Sequence, residues 1–98
     1  MSMAATVRNL FSKPYDKVRA VEAAELVEAG AVLLDVREPH EWRAGHAPRA
    51  RHIPLGDLDR RAVVLPAGRR IVTVCRSGTR SARAAAILAR HGHQVSNL

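Results

Sequence analysis

Residues 71–92 read IVTVCRSGTRSARAAAILARHG. The opening IVTVC, 71–75, is apolar and β-branched and predicts a strand. Ser81 to Arg90 is rich in alanine with apolar residues at helical spacing, and predicts a helix that Gly92 ends. Between them lies CRSGTRS, residues 75–81, which holds the only cysteine of the chain. A strand passing through a tight loop into a helix is the working unit of an α/β domain.

The flanking segments extend that pattern. Residues 1–16 read as a lead-in with Pro14 as a break, and residues 17–98 as the domain. Lys17 to Ala20 predicts a short strand. Val21 to Ala29 predicts a helix with Gly30 as its stop. AVLLDV, 31–36, is apolar without alternation, as expected of a strand buried on both faces of a parallel sheet. REPHEWRAGHAPRA, 37–50, is polar, with two prolines and a glycine, and reads as loop with one turn around Pro39 to Trp42. ARHIP predicts a third strand, Leu55 to Ala62 a helix, and HQVSNL the start of a last strand.

Composition narrows the function classes. The 98 residues suffice for one small domain, and 47% of them are apolar. Only 3% are aromatic, so Val, Leu, Ile and Ala must fill the core. A single cysteine excludes an internal disulfide, a Cys-rich zinc site and a built-in resolving thiol. It fits a reducing compartment. The first residues carry no secretory h-region, and no run reaches membrane-spanning length. These features predict a soluble, cytoplasmic protein. The net charge of +7 comes almost wholly from arginines scattered in ones and twos. Without a basic stripe or stacking aromatics, nucleic acid is not an expected partner. His91 and His93 are too sparse for a metal site and read as surface residues.

The cysteine loop carries the chemistry. In an open α/β sheet, ligands bind beyond the carboxyl ends of the strands, where Cys75 falls. Ser77, Gly78 and Thr79 can turn several backbone N–H groups inward, with Gly78 free to take a positive φ. The following helix start adds unpaired donors and partial positive charge. Arg80 can aim its guanidinium at the same point. A Cys75 sulfur placed there becomes a stabilised thiolate of lowered pKa, a nucleophile inside an anion cradle. A lone cysteine closing an apolar strand is ordinarily a small buried hydrophobe. Nothing in RSGTRS resembles core filling, however, and arginines at a helix start oppose the helix dipole.

Two ordered segments now resemble the single-domain rhodanese family, the thiosulfate sulfurtransferase-like domains. LLDVREPHEWRAGHAPRARHIPL, residues 33–55, is similar to the family's first signature. Residues 71–92 are similar to its active-site strand, loop and helix, and HQVSNL to the start of its last strand. The resemblance implies a three-layer α/β/α fold with a five-strand parallel sheet in the order 3-2-4-5-1. It places Asp35 and Arg37 near the loop as supporting residues, with Glu41, Trp42 and His46 fixing the long loop. It implies no cofactor and no metal. Cys75 would take a sulfane sulfur from a small anionic donor such as thiosulfate, or from a persulfide. A thiol, cyanide or a sulfur-accepting protein would then receive it. The amides of Arg76, Ser77, Gly78, Thr79 and Arg80 would cradle the persulfide, and Arg76 and Arg80 would attract the donor.

Two other readings share the residues. Cysteine-dependent phosphatases place five residues between cysteine and arginine, and here only Arg76 to Thr79 intervene. The shorter ring suits one sulfur atom rather than a phosphoryl group, and the loop holds no carboxylate to protonate a leaving alkoxide. Arsenate reduction meets the same size objection. A non-catalytic persulfide carrier is the other reading. The family's last strand normally continues into a Gly-Gly-Met turn and a final helix, which these residues lack, so an apolar sheet face is expected to lie open. Ala47 and Arg49 also stand where the family favours isoleucine and glycine, which bears on loop packing.

Overall fold

A computed structural model of the chain describes residues 13–98. The expected lead-in over 1–16 therefore lies largely outside the described residues. Five parallel strands form one sheet: β1 (Asp16–Lys17), β2 (Val32–Asp35), β3 (Arg51–His52), β4 (Ile71–Val74) and β5 (Val95–Asn97). Their spatial order is β1-β5-β4-β2-β3, the expected 3-2-4-5-1 read from the other edge. The register sets Asp35 beside Val74, so β2 and β4 end together at the same sheet edge.

Helix α1 (Ala20–Glu28) lies on one face of the sheet. Helix α2 (Pro39–Ala44) follows β2. Helices α3 (Leu55–Arg61), continued by a 3-10 turn over Ala62–Val64, and α4 (Thr79–Arg90) cover the other face. On that side Leu34, Leu58, Ile71 and Leu88 are wholly buried. On the α1 side Val18, Ala23, Ala31 and Val72 pack with the partly buried Leu26, Val27, Leu33 and Leu98. Apolar side chains thus project from both faces of β2 and β4, which is why their sequences do not alternate. The α1 face also carries an open groove bounded by Ala23, Val27, Leu33, Pro48 and Leu98.

The main differences from the sequence expectations lie in four places. β1 covers Asp16–Lys17 rather than Lys17 to Ala20, because α1 already begins at Ala20. The third strand shrinks to Arg51–His52. The loop expected after β2 contains a helix over Pro39–Ala44. Pro39 occupies its first turn, where a missing N–H costs nothing, and the Glu41 carboxylate accepts the Glu38 N–H at 3.0 Å. Helix α4 begins at Thr79, two residues early. Gly78 precedes it at φ +91°, a conformation that turns the chain directly from loop into helix.

Candidate active site

The site is built where β4 meets α4. Cys75 follows the last residue of β4 and is half-buried. Its Sγ accepts the Gly78 N–H at 3.1 Å and the Ser81 N–H at 3.3 Å. The Ser81 hydroxyl lies 3.3 Å from the sulfur. A helix start leaves backbone N–H groups without partners, and a capping side chain usually takes one. Gly78 has no side chain to do so, and the cysteine sulfur does it instead. The fold therefore aims the positive end of α4 at a sulfur atom.

Burial pushes the Cys75 thiol up. The Ser81 hydroxyl and the N–H groups of Ser81, Gly78 and Ser77 stabilise the thiolate and outweigh it, so the pKa lies below that of an ordinary cysteine. The Ser81 hydroxyl has one proton and two acceptors, since the Gly78 carbonyl lies 3.2 Å away. With a thiol, S–H can donate to Oγ while Oγ–H donates to Gly78. With a thiolate, Oγ–H can turn to the sulfur.

A buried polar layer supports the loop from below. Thr73 Oγ1 donates to the Ser81 carbonyl at 3.0 Å and lies 3.3 Å from Asn97 Oδ1. Asn97 Nδ2 reaches the Gly78 carbonyl at 3.4 Å. Thr73, Ser81 and Asn97 were not among the site residues expected from sequence. The signal was there for Thr73, a polar residue inside the otherwise apolar strand IVTV; all three are buried.

Arg80 is placed differently from expectation. Arg80 does not offer its guanidinium freely to the loop centre. Its Nη1 and Nη2 donate to the two oxygens of Glu41 at 2.6 and 2.9 Å, a two-point pair. Glu41 lies in α2, which extends the single turn expected around Pro39 to Trp42. Arg80 holds the Glu41 carboxyl down to about 2, and the Glu38 N–H adds to this. Glu41 in turn raises Arg80, with a further contribution from Cys75. Among the described residues Arg76 has no ion-pair partner.

Asp35 and Arg37 form a second pair. The Arg37 N–H donates to Asp35 Oδ1 at 2.9 Å, and Nη2 donates to Oδ2 at 2.7 Å. Nη2 also reaches the Gly45 carbonyl at 2.8 Å, at the end of α2. Neither side chain bonds residues 75–80 directly. Their bracing runs through α2, which carries Glu41 to Arg80. Trp42 completes the mount: the His46 and His52 rings stack parallel to it at 3.3 and 4.7 Å. His46 Nδ1 also meets the Trp42 carbonyl at 2.8 Å, as expected of residues that fix this segment. His91 Nε2 lies 2.7 Å from Asp59 Oδ1. Ser77, Gly78 and Thr79 share a cleft with Lys13, Lys17 and Arg83 on the loop's outer side.

Sheet order and loop geometry together define a parallel α/β domain with a half-buried cysteine at the focus of backbone donors. Residues 19–98 match the rhodanese-like domain family, and the chain belongs to that family. A sulfurtransferase of Allochromatium vinosum is 38% identical over 68 residues, covering 68% of this chain and 64% of that protein. The thiosulfate sulfurtransferase GlpE of Pseudomonas syringae is 33% identical over 81 residues, covering 80% of this chain and 74% of that protein. The crystal structure of a rhodanese-related protein from Thermoplasma volcanium superposes with a TM-score of 0.78 at 29% identity, covering 85% of this chain and 82% of that one. The chain spans 32%, 49% and 33% of the length of three Bacillus subtilis and Mycobacterium tuberculosis relatives that it also matches. Sulfur transfer is thus the chemistry of the family. Among the described residues no helix is long and apolar enough to cross a membrane.

Proposed function

We propose that residues 17–98 act as a sulfurtransferase that moves a sulfane sulfur from thiosulfate or a persulfide to a thiophilic acceptor through a Cys75 persulfide. The observation that carries this reading is the convergence of the Gly78 and Ser81 N–H groups on the Cys75 sulfur. They stabilise the attacking thiolate, and the same donors suit the terminal sulfur of a persulfide.

The steps balance without a cofactor. With thiosulfate, the Cys75 thiolate attacks the outer sulfur and a sulfur–sulfur bond forms. The bond to the sulfonate sulfur breaks, and sulfite leaves with its electron pair. An acceptor nucleophile, cyanide or a thiolate, then attacks the terminal sulfur and releases Cys75 as thiolate. Neither step needs a general acid, which agrees with a loop that lacks a carboxylate. Arg76 and the cleft of Lys13, Lys17 and Arg83 supply the charge that draws an anionic donor or an acidic acceptor protein. A reducing cytoplasm would provide the acceptor thiols and keep Cys75 free.

The phosphatase and arsenate-reductase readings gain nothing from the geometry, because the guanidinium they would need at the loop is paired with Glu41. Thiocyanate formation from thiosulfate and cyanide, wild type beside Cys75→Ser, tests the proposal. Mass spectrometry after thiosulfate treatment should show one added sulfur on Cys75. Aryl phosphate hydrolysis without thiocyanate formation would refute it.

A further inference from the structure

Two closed ion pairs lie on the side of the loop that faces α2, Asp35 with Arg37 and Glu41 with Arg80. The wall these four side chains form is therefore formally neutral, although the chain as a whole carries +7. The Glu41–Arg80 pair is well shielded, with side chains 19% and 31% exposed. It is also firmly mounted. Glu41 accepts the Glu38 N–H, and α2 is held by the Arg37–Gly45 bond and the Trp42 stack.

This arrangement bears on the donor. An oxyanion is held most strongly by the planar, two-point edge of a guanidinium. Glu41 already fills that edge of Arg80. What remains at the sulfur is a set of backbone N–H groups and one hydroxyl, which suit a single charge centred on one sulfur atom. Arg76 and the outer lysines attract anions in general, from the loop and its cleft. A thiosulfate dianion brings three sulfonate oxygens that lose a partner here. An organic persulfide, RSSH or RSS⁻, loses nothing.

We propose that Glu41 is a specificity-determining residue: its carboxylate occupies the face of Arg80 that a sulfonate would otherwise take, so the site favours a persulfide of low charge over thiosulfate as donor. The inference rests on the sulfur-transfer reading and sharpens it. In the favoured step the Cys75 thiolate attacks the outer sulfur of RS–SH. The new sulfur–sulfur bond forms at Cys75, the RS–S bond breaks, and RS⁻ leaves with the electron pair. The transferred sulfur keeps its proton or releases it to solvent.

The test is single-turnover formation of the Cys75 persulfide, quenched and read by mass spectrometry, with thiosulfate in one arm and the persulfide of 2-mercaptoethanol in the other. The wild type should react faster with the organic persulfide. Glu41→Gln frees the Arg80 edge and should raise the thiosulfate-to-persulfide rate ratio about tenfold, the size of one charge-assisted bond. The Glu41→Gln/Arg80→Gln double variant should return the ratio to that of the wild type. A ratio unchanged in a folded Glu41→Gln protein overturns the inference while sulfur transfer stands. If Glu41→Gln does not fold, the wild type decides. Excess sulfate should leave its reaction with the organic persulfide unaltered, and strong competitive inhibition overturns the inference. A wild type that gains sulfur from neither donor refutes the sulfur-transfer reading and this inference with it.

Discussion

Cys75 and Ser81 stand six residues apart in the chain, yet the Cys75 sulfur lies 3.3 Å from both the backbone N and the hydroxyl of Ser81. The first turn of α4 folds the chain back on itself to bring them together. Ser81 thus offers two donors to one thiolate.

Alkylation of Cys75 by iodoacetamide should reach half its maximal rate at a lower pH than that of an ordinary cysteine. The thiolate is the reacting form, and its fraction grows as pH rises through the pKa. Ser81→Ala removes one donor and moves the midpoint up. At neutral pH the alkylation rate should fall about fivefold, as expected for a hydrogen bond worth about 1 kcal/mol. An unmoved midpoint would show that the backbone donors alone set the thiolate.

Gly78 sits at φ +91°, and a Cβ there would make only ordinary contact, 3.9 Å from the Leu98 carbonyl. The cost of Gly78→Ala is therefore backbone strain rather than a clash, about 1–2 kcal/mol. The Tm should drop by roughly 5–10 °C. Gly78→Asn should cost less, because asparagine tolerates the left-handed region. Equal Tm values for all three proteins would mean that the loop relaxes to another conformation.

Acid should separate the wild type from Glu41→Gln. Arg80 holds the Glu41 carboxyl at about 2 in the folded protein, against 4.5 for an unperturbed group. Above pH 4.5 the carboxylate is charged in both states and its pairing stabilises the fold. As pH falls from 4.5 towards 2, the unfolded chain takes up the proton first and that stabilisation is lost. Thermal melts in this window should show the Tm gap between wild type and Glu41→Gln closing. A gap independent of pH would mean the pair does not hold in solution.

Asp35→Asn should be strongly destabilising. The Asp35 side chain is 4% exposed and that of Arg37 21%, so the guanidinium would keep its position and lose its counter-charge. Breaking such a pair from one side costs about 3 kcal/mol. Urea unfolding measures it, and a loss under about 0.5 kcal/mol would place Arg37 in the class of solvated surface ions.

Much of this domain is legible in its sequence, and particular residues show why. Ala, Val and Leu without alternation in AVLLDV call for burial on both faces, and the helix after Cys75 is written in alanines and ended by Gly92. Helix α2 was harder to see because it is short, polar and has no buried residue to give it a period. Its start signals, Pro39 and Glu41, are local and easily mistaken for loop chemistry.

The sequence by itself determined that a nucleophilic sulfur could sit at the end of a buried strand, before a glycine turn and a helix start, because those are properties of neighbouring residues. It could not determine what Arg80 does. Its partner, Glu41, lies 39 residues away, and a guanidinium pairs with whichever carboxylate the fold brings within reach. Only the tertiary structure, by mounting α2 beside the loop, decided that Arg80 is paired with Glu41 while CRSGTRS presents backbone donors to the sulfur.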